Sequence, residues 1–241
     1  MSIAAVFDLD NTLVQGSSLF HFGKEMMRRR FIGPLDVLRY ARAEFSYVRN
    51  RSEVEGMPAA VAERVLGLVA GHDQNELIGL ADEFVDGRLR RHYVPEILDR
   101  IVHFTKLGVP TYLATASPQE LADSIARSLG MTGALGTVSE TVSGVYTGRL
   151  EQPIAHGAEK ALRVRALLES IDADPEQCWA FSDSVNDLPL LALMGHPVAV
   201  NPDKALMQIA RQNEWQIITS DGTNDLASIA AMFGFHPYPM N

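Results

Sequence analysis

The sequence predicts an α/β fold: a doubly wound parallel sheet with an all-helical segment inserted after its first strand. Short apolar runs rich in strand-forming residues recur at residues 3–7, 111–114, 179–181, 198–200 and 215–218. Helical patterns separate most of them, at residues 119–129, 158–169, 188–194 and 205–212. Continuous apolar strands alternating with helices indicate strands buried on both faces, with helices above and below a parallel sheet.

The elements follow in order. The first run is wholly apolar and stops at Asp8. From about residue 15 to about residue 91 no convincing strand occurs. Leu35, Leu38, Ala41, Phe45 and Val48 keep a helical spacing instead. Breaks fall at Gly33-Pro34, Gly56-Met57-Pro58 and Gly71-His72. Further on, residues 138–141 and 145–148 flank Ser143-Gly144, the mark of a hairpin appended to the sheet. The expected organisation is a core of residues 1–14 and 92–241, interrupted by a helical cap at residues 15–91.

Composition narrows the function classes. The chain has 241 residues, 46% of them apolar and 21% charged, enough to bury a full core and too few charges for wholesale disorder. A net charge of −9 argues against nucleic acid as the main partner. It leaves room for a small anionic substrate, because a local site can be positive inside a negative protein. The single cysteine, Cys178, excludes an internal disulfide and fits a reducing compartment. The N-terminal apolar run meets Asp8 and Asp10 too early for a signal peptide, and no run is long enough to span a bilayer. A cytoplasmic location is the expectation.

Acidic residues concentrate at strand ends. Asp8 and Asp10 lie two apart after the first strand, a spacing that puts both side chains on one side of an extended chain. Ligands of open parallel sheets bind outside the carboxyl ends of the strands. Two carboxylates there repel unless a cation or a shared proton compensates. Oxygen donors of this kind suit Mg²⁺, which keeps several waters and takes phosphate oxygens as further partners. Asp-x-Asp alone is equally well explained as a solvated turn. A second acidic element, Ser182-Asp183-Ser184-Val185-Asn186-Asp187, follows the strand at 179–181 and opens a helix at Leu188-Pro189. Helix capping accounts for one acid there, but less economically for both Asp183 and Asp187.

Thr115 ends the strand at 111–114 and offers a hydroxyl to a phosphate oxygen. Ser117, Pro118 and Glu120 have capping-box spacing, so Ser117 is read as a helix cap. Lys160 opens a helix, where a lysine is normally solvated. Its functional case is the positive charge that several carboxylates and a dianionic phosphate require. The scattered histidines lack the spacing of a zinc site.

In this order, Asp8-Leu9-Asp10-Asn11-Thr12, Thr115, Lys160 and Asp183-Ser184-Val185-Asn186-Asp187 resemble the motif set of the haloacid dehalogenase (HAD) superfamily. The helical insertion after the first motif resembles the cap of the phosphoserine-phosphatase-like branch, subfamily IB. So do Thr147-Gly148-Arg149-Leu150, Ser182-Asp183-Ser184 and Val200-Asn201-Pro202-Asp203. The resemblance covers nearly the whole chain. It implies a Mg²⁺-dependent phosphatase with a Rossmann-like core. Asp8 would be the nucleophile and Asp10 the acid and base. The metal would lie among Asp8, the Asp10 backbone carbonyl and Asp183, with Asp187 supporting its waters or Lys160. Thr115, Lys160 and the amide near Ala116 would bind phosphoryl oxygens, and Asn186 would lie on the substrate side.

Phosphoserine phosphatases typically carry a glutamate near the position of Ser17 that receives the substrate ammonium; this chain reads Gln15-Gly16-Ser17-Ser18. Glu25 or Glu44 would then have to take over. The insertion also carries Arg28, Arg29, Arg30, Arg39, Arg42, Arg49 and Arg51. The favoured reading is a solvated basic face; the alternatives are attraction of an anionic substrate, a membrane surface or an acidic partner. Bland structural roles are favoured for His21 and His92, and a place in the cap's own core for Phe20, Phe22, Met26 and Met27. Three functions stay open: a phosphatase for a small metabolite such as phosphoserine or histidinol phosphate, a phosphotransferase or lipid-phosphate phosphatase, and a non-catalytic phosphate-dependent binding module.

Overall fold

The first apolar run forms β1 (Ala5–Phe7), the central strand of a parallel sheet. The computed structural model describes residues 2–33 and 69–220. Leu35, Leu38, Ala41, Phe45, Val48, Glu44, Arg39, Arg42, Arg49 and Arg51 lie outside the described residues. β2 (Thr111–Pro118), β3 (Gly133–Thr137), β6 (Trp179–Ser182), β7 (His196–Val200) and β8 (Gln216–Ile218) complete the sheet in the order β3-β2-β1-β6-β7-β8. β4 (Ser139–Val142) and β5 (Val145–Leu150) form a separate antiparallel hairpin. Its two-residue turn puts Ser143 at φ 53° and Gly144 at φ 79°, a left-handed pair that suits the twist of a hairpin.

Period two explains the burial. Ala5 and Phe7 join Leu113, Phe181, Val198 and Val200 on one side. Ala4 and Val6 join Tyr112, Ala114, Ala180 and Ala199 on the other. Both faces are apolar, so both need helices. On the first face, Phe7 stacks on Phe181 with centroids 4.4 Å apart, under Phe104 of α3 (Pro95–Lys106). α4 (Gln119–Ser128) supplies Leu121 and Ile125 to this side. The second face is covered by α5 (Gly157–Ser170), α6 (Leu188–Leu191) and α7 (Lys204–Gln212), through Val164, Leu168, Leu190 and Leu206.

The inserted segment enters through α1 (Ser18–Arg28) and returns through α2 (Gln74–Gly87) and a 3₁₀ turn, Leu89–His92. Its ends lie side by side: Gln15 N–H donates to the His92 carbonyl at 2.7 Å and Val94 N–H to that of Leu13 at 2.9 Å. Phe22, Met26, Leu77 and Phe84 are buried in the same cluster as Ile97 and Leu121. Phe20, by contrast, is 59% exposed. Between α2 and α4, the Asp82 carboxylate accepts from Ser124 Oγ at 2.6 Å and Arg127 Nη1 at 2.9 Å. Arg28 and Arg29 are paired internally, both with Glu25 and Arg29 also with Glu83.

Some local expectations fail for physical reasons. β2 runs on to Pro118 and α4 starts only at Gln119, with no side chain capping it. Ser117 and Glu120 therefore form no capping box: Ser117 Oγ meets Ser18 Oγ, and Glu120 accepts from the Tyr146 hydroxyl. The helix expected at 188–194 is one turn, preceded by a 3₁₀ turn, Val185–Asp187. Strand β3 has no counterpart among the expected strands, since Gly-Ala-Leu-Gly-Thr has little strand propensity.

One glycine is fixed by a close approach. A Cβ at Gly195 would overlap the Glu176 carbonyl oxygen, while Gly195 N–H donates to the Pro175 carbonyl at 2.9 Å. Gly195→Ala should lower the unfolding free energy by about 1–3 kcal/mol, the usual cost of overpacking. Urea denaturation measures this, and an unchanged midpoint would contradict the packing described.

Candidate active site

The strand order reverses direction at β1, whose neighbours are β2 and β6. The crevice beyond the carboxyl ends at such a switch point is where open α/β sheets bind ligands. Asp8 follows β1 directly, Thr115 lies within β2 just past Ala114, where the pairing with β3 becomes irregular, and Asp183 follows β6. Register aligns them: Phe7 pairs with Leu113 and Phe181, and Asp8 N–H donates to the Phe181 carbonyl at 2.9 Å.

Lys160 arrives from α5, whose buried residues are Lys160, Val164 and Leu168, four apart on one stripe. The apolar members seat the helix on the sheet. The lysine extends the stripe by one turn toward the site. Its ammonium donates to Asp8 Oδ1 at 2.7 Å and to Asp187 Oδ2 at 2.8 Å. Ser182 Oγ donates to the same Asp187 oxygen at 2.7 Å. Asp187 is thus no simple helix cap, as no capping hydrogen bond comes from its side chain. Its Oδ1 is buried and has no hydrogen-bond partner. Asp8, Thr115, Lys160 and Asp187 are each at most 6% exposed.

These charges are unbalanced. Burial drives the Asp8 carboxyl up to about 7 despite Lys160, and Asp187 and Asp183 add to the rise. Burial likewise raises Asp183 to about 6, with Asp187 contributing. Asp10 is also raised by burial, against hydrogen bonds from Ser18. Lys160 goes the other way from a desolvated amine: burial favours loss of its proton, but Asp8 and Asp187 outweigh burial and hold it on. Excess carboxylate with an orphaned carboxylate oxygen fits a hard divalent cation. Among the described residues no three acidic, histidine or cysteine side chains form a cage by themselves. Mg²⁺ needs no such cage, since it takes one or two carboxylates and completes its shell with carbonyls, waters and phosphate.

The other expected residues divide. Asp10 lies in the turn after β1, where its Oδ1 accepts from Ser18 N–H at 2.9 Å. Ala116 is next to Thr115 on β2, its carbonyl accepting from Thr137 Oγ1 at 2.8 Å. Asn186 is exposed, its backbone N–H donating to Ser184 Oγ at 3.2 Å. Ser17 is not part of the cluster: it is exposed and caps α1 by accepting from Phe20 N–H at 3.3 Å. Its neighbour Ser18 is the buried one. Glu25 is committed to Arg28, Arg29 and Arg88 and is not free to receive an ammonium. His21 and His92 stack with centroids 4.0 Å apart at the base of the insertion.

Ser182 and Asp203, which belong to the motifs but carry no role from the sequence, support the site. Asp203 caps α7 through Leu206 N–H and holds the Asp183 loop by accepting from Val185 N–H, each at 2.8 Å. Thr12 Oγ1 donates to Asp183 Oδ1 at 3.5 Å, linking the β1 and β6 loops.

A profile of the haloacid dehalogenase-like hydrolase family matches residues 5–192. The phosphoserine phosphatase SerB1 of Mycobacterium tuberculosis is 41% identical over 221 residues, covering 90% of this chain and 70% of that protein. A histidinol-phosphatase of Neisseria meningitidis is 26% identical, covering 90% of this chain and 99% of its own length. The crystal structure of a protein of unknown function from Bordetella pertussis superposes with a TM-score of 0.79 at 30% identity, over 90% of this chain and 98% of that one. The chain belongs to the haloacid dehalogenase-like hydrolase family and is an enzyme of its phosphatase group.

Removing the bridging cation should expose the imbalance. Lys160→Met leaves Asp8 and Asp187 unpaired in a buried site, which should cost about 3–5 kcal/mol at neutral pH. Protonation relieves the repulsion, and without Lys160, whose charge holds it down, the Asp8 carboxyl takes up its proton above about 7, so the loss should grow as pH rises from about 7. Denaturant titrations at neutral and alkaline pH test this; a pH-independent loss would contradict the charge account.

Proposed function

We propose that this hydrolase is a Mg²⁺-dependent phosphomonoesterase that acts on a small phosphorylated metabolite through an aspartyl-phosphate on Asp8. The observation that carries the reading is the buried Lys160 bridge between Asp8 and Asp187 at the switch point of the sheet. It supplies a fixed carboxylate next to a fixed cation, the pairing needed to bring a nucleophile and a dianion together.

In this reading an Asp8 carboxylate oxygen attacks phosphorus, and the bond to the leaving oxygen breaks as Asp10 gives that oxygen a proton. Water then attacks the phosphoryl group and returns a proton to Asp10, releasing inorganic phosphate and restoring Asp8. Lys160 holds Asp8 and a phosphoryl oxygen, Thr115 donates its hydroxyl to another, and the Ala116 region adds a backbone donor. Asp183, Asp8 and the Asp10 carbonyl would hold Mg²⁺, with Asp187 and Asn186 close by. When bound, the metal supplies neutralising charge for the phosphate.

Residues 15–91, read as a cap over the core of 1–14 and 92–241, would select the leaving group. The names of the relatives point to phosphorylated amines such as phosphoserine and histidinol phosphate. Ser17 carries no carboxylate and Glu25 is already paired with arginines, so neither offers a free carboxylate to an ammonium.

A phosphate-release screen over phosphorylated metabolites with Mg²⁺ tests the proposal. Activity should vanish on strong chelation and return with Mg²⁺. Asp8→Asn should lower turnover by about 10³-fold or more while leaving the fold intact. Normal activity in that variant, or in chelator, would overturn it.

Metal binding should also show in stability. Asp8 and Asp183 hold protons more tightly folded than unfolded, so the metal-free protein takes up protons on folding. Its stability therefore falls as pH rises from the ordinary carboxylate range through about 6 and about 7. Mg²⁺ competes with those protons. It should raise Tm most above about pH 7 and progressively less below about pH 6. A shift independent of pH would place the metal elsewhere.

A further inference from the structure

Two buried hydroxyls meet beside Asp10, and neither caps a helix. Ser18 and Ser117, 99 residues apart, place their Oγ atoms 2.8 Å from each other. Ser18 is fully buried and Ser117 is 3% exposed. Ser18 is not needed to cap α1, because Ser17 does so. Ser117 does not cap α4, which has no side-chain cap. Burying hydroxyls in this way brings little net stability, and an apolar pair of similar shape would serve packing as well.

Their hydrogen bonds lead to Asp10. The backbone of Asp10 is set by the turn in which Leu13 and Val14 N–H groups donate to the Leu9 carbonyl at 3.0 and 2.8 Å. Its carboxylate is then held by Ser18, whose N–H donates to Oδ1 at 2.9 Å. The contact between the Ser18 and Ser117 hydroxyls, in which either oxygen can be the donor, pins that first turn of α1 to β2 and so fixes the N–H that meets Asp10. Ser117 N–H in turn donates to Thr115 Oγ1 at 3.1 Å, leaving the Thr115 proton available to a ligand. One chain of contacts thus joins Thr115 on β2 to Asp10 after β1 through the first turn of α1.

We propose that Ser18, supported by Ser117, is the positioning residue that aims Asp10 at the leaving oxygen. This rests on the phosphatase reading given above. Because Ser18 belongs to the first helix of the inserted segment, acid catalysis then depends on α1 being seated against β2. The inserted segment would influence the chemical step itself as well as the choice of substrate.

Leaving-group dependence tests the proposal. Phenyl phosphate and 4-nitrophenyl phosphate have nearly the same shape, but only the first has a leaving group that needs an acid. Their kcat/KM values report formation of the phosphoenzyme, before water enters. Ser18→Ala should lower kcat/KM for phenyl phosphate by about tenfold or more, and for 4-nitrophenyl phosphate by less than about threefold. Ser117→Ala, which breaks the same contact, should show the same pattern, and Ser18→Thr, which keeps a hydroxyl, should restore phenyl phosphate turnover. An equal fall on both esters, or no fall on either, would overturn the positioning role. If the parent enzyme needs Asp8 for neither ester, the phosphatase reading fails and takes this proposal with it. The Asp8→Asn control therefore separates the two failures.

Discussion

The contact of the Lys160 ammonium with Asp8 and Asp187 organises this protein. Three buried charges meet from the end of β1, from α5 and from the turn after β6, Lys160 lying 152 residues from Asp8 and 27 from Asp187. Such a cluster is tolerable only if every member is placed by the fold. Parallel pairing puts Asp8 beside the end of β6, the Val164 and Leu168 stripe brings Lys160 over it, and Ser182 steadies Asp187. The cluster remains short of positive charge and leaves one Asp187 oxygen without a partner, which fits a further cation better than a closed structural ion pair.

The sheet was legible because its pattern is redundant. Five apolar strands with helices between them admit few other topologies, and five of the six strands lie where their β-rich runs predict. β3 was hidden because its role is spatial: a Cβ at Gly136 would come 2.8 Å from Gln119 Cα, so a strand former is excluded there. The acids at the strand ends were legible for the same reason as the strands. Lys160 was legible only through need, since a helical lysine has no local mark of burial. The spacing to Val164 and Leu168 carries that mark once the helix register is known.

What sequence could not reveal was contact between distant polar groups. Ser117 satisfies a local capping pattern yet serves a tertiary contact with Ser18, because β2 continues through Pro118 and postpones the helix. Ser17 and Ser18 are adjacent and chemically identical, and only the start of α1 decides which faces solvent and which faces Asp10. Glu25 reads in the sequence as an available acid, yet three arginines surround its carboxylate. In each case a local pattern had two physical uses, and packing selected between them.

The central claim is that Asp8 carries the phosphoryl group. Rapid acid quench during turnover of 4-nitrophenyl phosphate, followed by peptide mass spectrometry, addresses it directly. The account predicts a phosphoryl adduct on the peptide containing Asp8, absent from Asp8→Asn and labile to hydroxylamine as an acyl phosphate is. A burst of nitrophenol with no adduct on the protein, or an adduct on any other residue, would contradict it.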